Sequence, residues 1–294
     1  VTGGISAENP GNRNLVYMAW LLRCGGIDHP MTSLKEIYDE HQQSYLLISD
    51  LDDTLLGDDA ALKRFRDFYT ETCAGRFTLA YASGRFYDSI QEDIERGDLP
   101  EPDYVIGGVG SEMKHYPDGE SVPGWIEHIS ADWSAKKVRY ILKEYARLEP
   151  QPEDSQSDFK VSYFYPEADS EALEQLQADL RAAGLRTKLI YSSNRDLDVL
   201  PEHVDKGQAG AFLAQRLGIA SSHVFGSGNS GNDATLFEHG FKGIAVANAH
   251  DELLRLAEET GAYASSEAYA DGVRDGVTYW MKQMEKDHES KHSK

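Results

Sequence analysis

The chain has 294 residues, 40% of them hydrophobic, with 26 Gly and 10 Pro; this globular composition excludes a fibrous or wholly disordered chain and suits one large domain or two moderate ones. Its 50 acidic residues against 29 Lys and Arg leave a formal net charge of -21, a field that repels polyanions and excludes nucleic acid as an expected partner. Only Cys24 and Cys73 are present, too few for a disulfide framework or a four-cysteine zinc site, so two reduced thiols in a cytoplasmic protein are expected.

Residues 1 to 14 are rich in Gly, Asn and Pro and read as loosely packed. LVYMAWLLR at 15 to 23 is apolar but far short of the roughly 18 residues a membrane span needs, and the start lacks the regions of a secretory signal. It reads as a helix packed on the body, or as non-native sequence upstream of a start at Met31. TSLKEIYDEHQQ at 32 to 43 reads as a short polar helix leading into YLLIS at 45 to 49, a compact apolar strand that ends at a cluster of carboxylates.

Helices are then expected at 61 to 73 and 86 to 96, and strands at 77 to 83 and 103 to 108. This alternation predicts right-handed βαβ units and a parallel sheet, whose ligands gather at the carboxyl ends of the strands. The middle differs in texture, with helices in DWSAKKVRYILKEYARL and ADSEALEQLQADLRAAG and alternating, aromatic strands at 159 to 165 and 186 to 193. It reads as a small inserted α+β domain, reached through the turn-rich YPDGESVPG at 116 to 124. The α/β rhythm resumes with a helix at 206 to 217, a strand at 222 to 228, a helix at 234 to 240, a strand at 242 to 247 and a helix from Asp251. The expected fold class is therefore α/β. A Rossmann-like parallel-sheet core covers 45 to 111 and 201 to 283, an inserted α+β domain covers 112 to 200, and an N-terminal extension covers 1 to 44. A charged tail from 284 to 294 is expected to fray.

Four polar pieces carry candidate chemistry. In DLDDT at 50 to 54, Asp50 and Asp52 can both turn toward one metal and one phosphoryl group, and carboxylates on a hard cation suit Mg²⁺; an acidic turn or helix cap is the plainer reading. In SGR at 83 to 85, the Ser83 hydroxyl and nearby N–H groups at a helix start can hold a phosphate oxygen, or simply cap the helix. Lys206 could neutralise a nucleophilic carboxylate and grip the phosphate. GSGNSGND at 226 to 233 lies too late for a dinucleotide loop, and its Asn and Asp side chains suit a metal better.

In this order the four pieces resemble the haloacid dehalogenase-like phosphatases. The resemblance implies Asp50 as nucleophile, Asp52 as general acid and then base, and Ser83 and Lys206 as phosphate holders. It further implies Asp50, Asp52, Asn229 and Asp233 around Mg²⁺, with Asn232 orienting the shell behind them. One position departs: the family usually has an acidic residue where this chain has Asn229, which gives up a charge beside the ion.

YLLISDLDDTLLGDDAAL, LAYASGRFYDSI, EPDYVIGGVGSEM, FKVSYFY, IYSSNRDLDVLPEHVDKGQA and GIAVANAHDELL are similar to the sucrose-phosphate phosphatase family, whose relatives include mannosylfructose-phosphate phosphatase. The similarity covers about residues 45 to 280. It implies that the inserted domain is a sugar-binding cap and that Glu112, Lys160, Asn194, Asp196 and Asp198 bind sugar hydroxyls. The expected activity is Mg²⁺-dependent hydrolysis of a disaccharide monophosphate, sucrose 6-phosphate first. Mannosylfructose phosphate, a glucosylglycerol phosphate and trehalose phosphate are the alternatives. From another class, Asn229 motivates a non-catalytic phosphosugar-binding regulatory protein. A monomer off the membrane, able to associate with a glycosyltransferase, completes the expectation.

Overall fold

A computed structural model describes residues 45–97 and 99–292. The N-terminal extension, with Cys24 and the helices expected at 15 to 23 and 32 to 43, lies outside the described residues.

In chain order the elements begin with β1 (Tyr45–Ser49), α1 (Asp59–Phe68), β2 (Phe77–Ala82), α2 (Tyr87–Glu95), β3 (Tyr104–Gly107) and β4 (Glu112–His115). Next come α3 (Trp125–Ile129), α4 (Ala135–Leu142), β5 (Glu149–Pro150), β6 (Val161–Phe164), α5 (Ser170–Ala182), β7 (Thr187–Ser192) and β8 (Asp196–Pro201). The chain closes with α6 (Lys206–Leu217), β9 (Val224–Gly228), β10 (Lys242–Ala245), α7 (Asp251–Thr260), β11 (Tyr263–Ala264) and α8 (Tyr269–His292). Among the described residues no helix is long and apolar enough to cross a membrane.

β1 is buried along its whole length, as a parallel strand covered on both faces must be, and its sequence accordingly runs apolar without alternation. It lies near the middle of a seven-stranded sheet of order β11-β10-β9-β1-β2-β3-β4. All neighbours pair parallel except β3 and β4. The strand order reverses at β1 and β9, which creates a crevice at their carboxyl ends. Ser49 stands opposite both Tyr81 of β2 and Ser227 of β9. The residues that follow these strands, Asp50, Ser83 and Asn229, therefore leave the sheet along one edge.

The second sheet is antiparallel, of order β5-β6-β8-β7. Strand alternation divides its residues between two faces. Val161, Tyr163, Leu197 and Val199 pack with Val138 and Leu142 of α4 and Leu176 and Leu180 of α5. On the other face Ser162 pairs with Asp198 and Phe164 with Asp196. Fully buried Trp125 of α3 donates its indole N–H to the Gly110 carbonyl at 3.0 Å, anchoring the connection into this domain.

Three local expectations are corrected. Residues 112 to 115, read with the inserted domain, pair antiparallel with β3 and form the edge of the core sheet. The helix expected at 234 to 240 is a 3-10 helix at Gly231–Phe237. Its path is set by a tight approach to α6: Gly207 donates its N–H to Thr235 Oγ1 at 3.0 Å, and any Cβ at 207 would collide with the Thr235 carbonyl. The tail from 284 continues α8 through His292 instead of fraying. Ala270, Val273 and Val277 are buried along one face of α8, and Trp280, Met281 and Met284 extend that stripe at helical spacing. Cys73 is buried, which pushes its thiol up to about 12.

Candidate active site

Asp50 is fixed by the sheet. Its N–H donates to the Ser227 carbonyl at 3.0 Å, and the residue is buried. Thr54, one turn along the same motif, donates Oγ1 to Asp50 Oδ2 at 2.8 Å. Between them Asp53 takes a left-handed φ of 58°, and Asn248 Nδ2 donates to its carbonyl at 2.7 Å. The loop after β10 thus pins the kink that follows β1.

Lys206 opens α6, whose N-cap is Asp205; that carboxylate accepts from the Gln208 N–H at 2.7 Å and also pairs with Lys188 of β7. The Lys206 side chain is wholly buried, and Nζ donates to Asp50 Oδ1 at 2.7 Å and Asp233 Oδ1 at 2.6 Å. Burial by itself would favour a neutral amine, but the charges of Asp233 and Asp50 outweigh it and hold Lys206 above the usual lysine range. Asp233 Oδ2 accepts the N–H groups of Asn229 at 2.9 Å and Ser230 at 3.0 Å. Burial and the charge of Asp50 push the Asp233 carboxyl up to about 6, against the pull of Lys206. Two buried carboxylates share one ammonium.

Asp52 is more open, its side chain 57% exposed, with Oδ2 at 3.1 Å from Arg85 Nε. Lost hydration raises its pKa, Arg85 opposes that rise, and the Asp50 charge adds to it. Ser83 donates its N–H to the Ile106 carbonyl at 3.0 Å, and its Oγ accepts from the Arg85 N–H at 3.1 Å. The hydroxyl closes the short turn that precedes α2.

Above these residues lies a cleft of about 1020 Å³. Asp50, Asp52, Ser83, Asn229 and Asn232 line it from the core, and Lys160, Asp196 and Asp198 line it from the inserted sheet. Lys206 and Asp233 sit beneath its floor. Asn232 Oδ1 accepts from Ser230 Oγ at 3.1 Å.

Glu112 and Asn194, expected at the sugar, are not among the lining residues. The Glu112 carboxylate accepts the Tyr87 N–H and so caps the start of α2. Asn194 occupies the left-handed turn between β7 and β8, beside a second cavity of about 530 Å³. Lys160 reaches the cleft wall but is already engaged: Nζ lies 2.6 Å from Ser162 Oγ, 2.9 Å from Asp198 Oδ1 and 3.0 Å from the Ser155 carbonyl. Those contacts match the three hydrogens of an ammonium, so Lys160 fixes Asp198 within the sheet. Sequence reasoning missed Arg85, although it stands within the quoted SGR motif. It also missed Gln151 and Gln156 of the cleft wall, which sit in a loop with no periodic signal.

At this floor Asp50, Asp52 and Asn229 line the cleft and bring two carboxylates and one side-chain amide. Among the described residues no three His, Cys, Asp or Glu side chains converge as a metal cage. That sparse set fits Mg²⁺, which keeps several waters and is held by one or two carboxylates together with a substrate phosphate. The excess of carboxylate over ammonium around Asp50 and Asp233 is the charge such an ion would neutralise.

The sequence profile of a family described as Sucrose-6F-phosphate phosphohydrolase matches residues 43–281. A mannosylfructose-phosphate phosphatase of Agrobacterium fabrum is 37% identical over 238 residues, 80% of this chain and 96% of that protein. A probable sucrose-phosphatase 3a of Arabidopsis thaliana is 34% identical over 226 residues, 73% of this chain and 53% of that protein. The chain thus spans about half the length of this plant relative. Among solved structures, the sucrose-phosphatase of Synechocystis sp. PCC6803 in complex with sucrose and phosphate aligns with a TM-score of 0.76 at 34% identity, covering 81% of this chain and 98% of that one. The profile spans most of the chain, and the parallel core sheet with its separate antiparallel sheet agrees with that solved fold. The chain therefore belongs to the sucrose-6F-phosphate phosphohydrolase family of haloacid dehalogenase-like phosphoric monoester hydrolases.

Proposed function

We propose that this sugar phosphate phosphatase hydrolyses a disaccharide monophosphate, sucrose 6-phosphate first, through an aspartyl-phosphate on Asp50 with Mg²⁺ as cofactor. The observation that carries the reading is the buried Lys206 clamp on Asp50 and Asp233, set at the strand-order reversal and directly below the cleft.

In the first half-reaction an Asp50 carboxylate oxygen attacks phosphorus, and the bond to the sugar oxygen breaks as that oxygen takes a proton from Asp52. In the second, a water oxygen attacks the same phosphorus and gives one proton to Asp52. The bond between phosphorus and the Asp50 oxygen breaks, which restores the carboxylate and releases phosphate. Lys206 offsets charge at Asp50 throughout, and Ser83 is assigned to a phosphate oxygen. Bound Mg²⁺ would neutralise charge on the phosphoryl group. Asp50, Asp52 and Asn229 would hold it, with Asp233 behind them as fixed negative charge and Asn232 orienting the loop.

The far wall supports a neutral sugar. Among the described residues its cations are paired, Lys160 with Asp198 and Arg195 with Asp196, and its carboxylates can accept from hydroxyls. A second reading, mannosylfructose phosphate, is favoured by the 37% identity to the Agrobacterium fabrum enzyme over 96% of that protein.

Phosphate release from sucrose 6-phosphate, mannosylfructose phosphate, a glucosylglycerol phosphate and trehalose phosphate, with Mg²⁺ added or chelated, tests the proposal. Mg²⁺-dependent release, fastest from sucrose 6-phosphate, is expected. Faster release from mannosylfructose phosphate would install the second reading, and no release from any of them would turn the assignment to a phosphosugar binder. Asn229→Asp restores a full charge beside the ion and is expected to lower the half-saturating Mg²⁺ concentration severalfold. An unchanged Mg²⁺ titration of activity would remove Asn229 from the ion site.

A further inference from the structure

The reaction described above leaves one buried carboxylate in this region without a role. Asp93 lies on α2 with its side chain 9% exposed, and its Oδ2 is 2.7 Å from Arg85 Nη1. Arg96 pairs with its other oxygen. The same Arg85 guanidinium presents Nε at 3.1 Å to Asp52 Oδ2. A line of ion pairs therefore runs from the body of α2 to the open carboxylate of the DLDDT motif.

Two features argue that this line does more than stabilise α2. Asp52 is more than half exposed, and an exposed carboxylate that must deliver a proton to one oxygen needs something to restrict its rotamers. Arg85 also keeps unused donor capacity: its Nε, which lies near Asp52 but is not aligned to hydrogen-bond it, and its Nη2 are buried without a hydrogen-bond partner among the described residues. Buried donors of this kind are costly unless an acceptor completes them. Arg85 lines the cleft, so that acceptor can be Asp52 after a small rotation, or an oxygen of the bound phosphosugar. The planar guanidinium suits this bridging, because one edge can be clamped while the other is presented.

We propose that Arg85, clamped by Asp93, is a positioning residue that holds the Asp52 carboxylate for proton transfer at the leaving sugar oxygen. The proposal rests on the reading of Asp52 as general acid, and it concerns the first half-reaction.

The test compares kcat/KM for two substrates, since kcat/KM reports the free-energy cost of reaching the first transition state, in which the leaving group departs. Sucrose 6-phosphate, or the sugar phosphate that the panel shows to be turned over fastest, releases an alkoxide that needs a proton. p-Nitrophenyl phosphate releases a phenolate that does not. Asp93→Asn, which keeps the shape of the clamp and removes its charge, is expected to lower kcat/KM on the sugar phosphate by about 10- to 100-fold and on p-nitrophenyl phosphate by less than about 3-fold. Arg85→Lys, which keeps charge and loses the fork, is expected to show the same divergence. Equal losses on both substrates, the mark of a merely structural role, or no loss on either, would overturn the proposal. Asp52→Asn separates the two levels. If it lacks the divergence, Asp52 is not the acid, and the reading beneath the proposal fails with it. If it shows the divergence while Asp93→Asn and Arg85→Lys do not, only the positioning role falls.

Discussion

Asp50→Asn is expected to lose at least about 10⁴-fold in kcat on the preferred sugar phosphate while keeping its fold, because a nucleophile that forms a covalent intermediate has no substitute. The amide preserves the shape of the side chain: its oxygen can accept from Lys206 Nζ, and its NH2 can donate to the Thr54 hydroxyl, which turns from donor to acceptor. Lys206 then pairs with Asp233 alone. Since two carboxylates share one ammonium in the native protein, removing one leaves no buried ion unpaired, and stability should stay within about 1 kcal/mol of wild type. Denaturant unfolding run beside the activity assay distinguishes lost chemistry from lost structure.

Lys206→Met should lose both. It leaves Asp50 and Asp233 buried beside each other with no cation between them, and breaking a buried pair of this kind costs about 3–5 kcal/mol, a fall in Tm on the order of 10 °C. The deficit should depend on pH. The Asp233 carboxyl already sits at about 6 in the folded protein, above its ordinary 3.8, and without the ammonium it moves higher still. A carboxyl whose folded pKa is raised stabilises the fold when protonated. That contribution is complete below the unfolded value and is lost as pH rises through the folded one. The variant should therefore lie nearest to wild type in acid and furthest from it above neutral pH. Urea unfolding across that range measures this, and a deficit independent of pH would contradict the shared-ammonium picture.

Local chemistry was legible in the sequence where it coincided with local structure. The unbroken apolar run of YLLIS announced a buried parallel strand, and the carboxylates directly after it had to fall at the sheet's carboxyl edge. FKVSYFY alternates, and that alternation separates the helix-facing residues Val161 and Tyr163 from Ser162 and Phe164 on the opposite face. What stayed hidden depends on contacts between distant segments. Nothing local in EMKH shows that it pairs with β3, or that Glu112 turns back to cap α2. Lys160, expected to bind sugar hydroxyls, is engaged by Asp198 and the Ser155 carbonyl, which meet it only after the strands pair. Arg85 escaped notice because its meaning lies in its pairing with Asp93, on the helix that follows it. The close approach of Thr235 in the 3-10 helix to Gly207 is likewise a contact that no pattern within 231 to 237 encodes.

Acid quenching in the first turnover of the preferred sugar phosphate, followed by peptide mass spectrometry, addresses the nucleophile directly. The expected result is a phosphoryl group at Asp50 in the wild-type protein and none in Asp50→Asn. A phosphoryl group on another residue, or phosphate release through the first turnover with Asp50 never labelled, would contradict the covalent route.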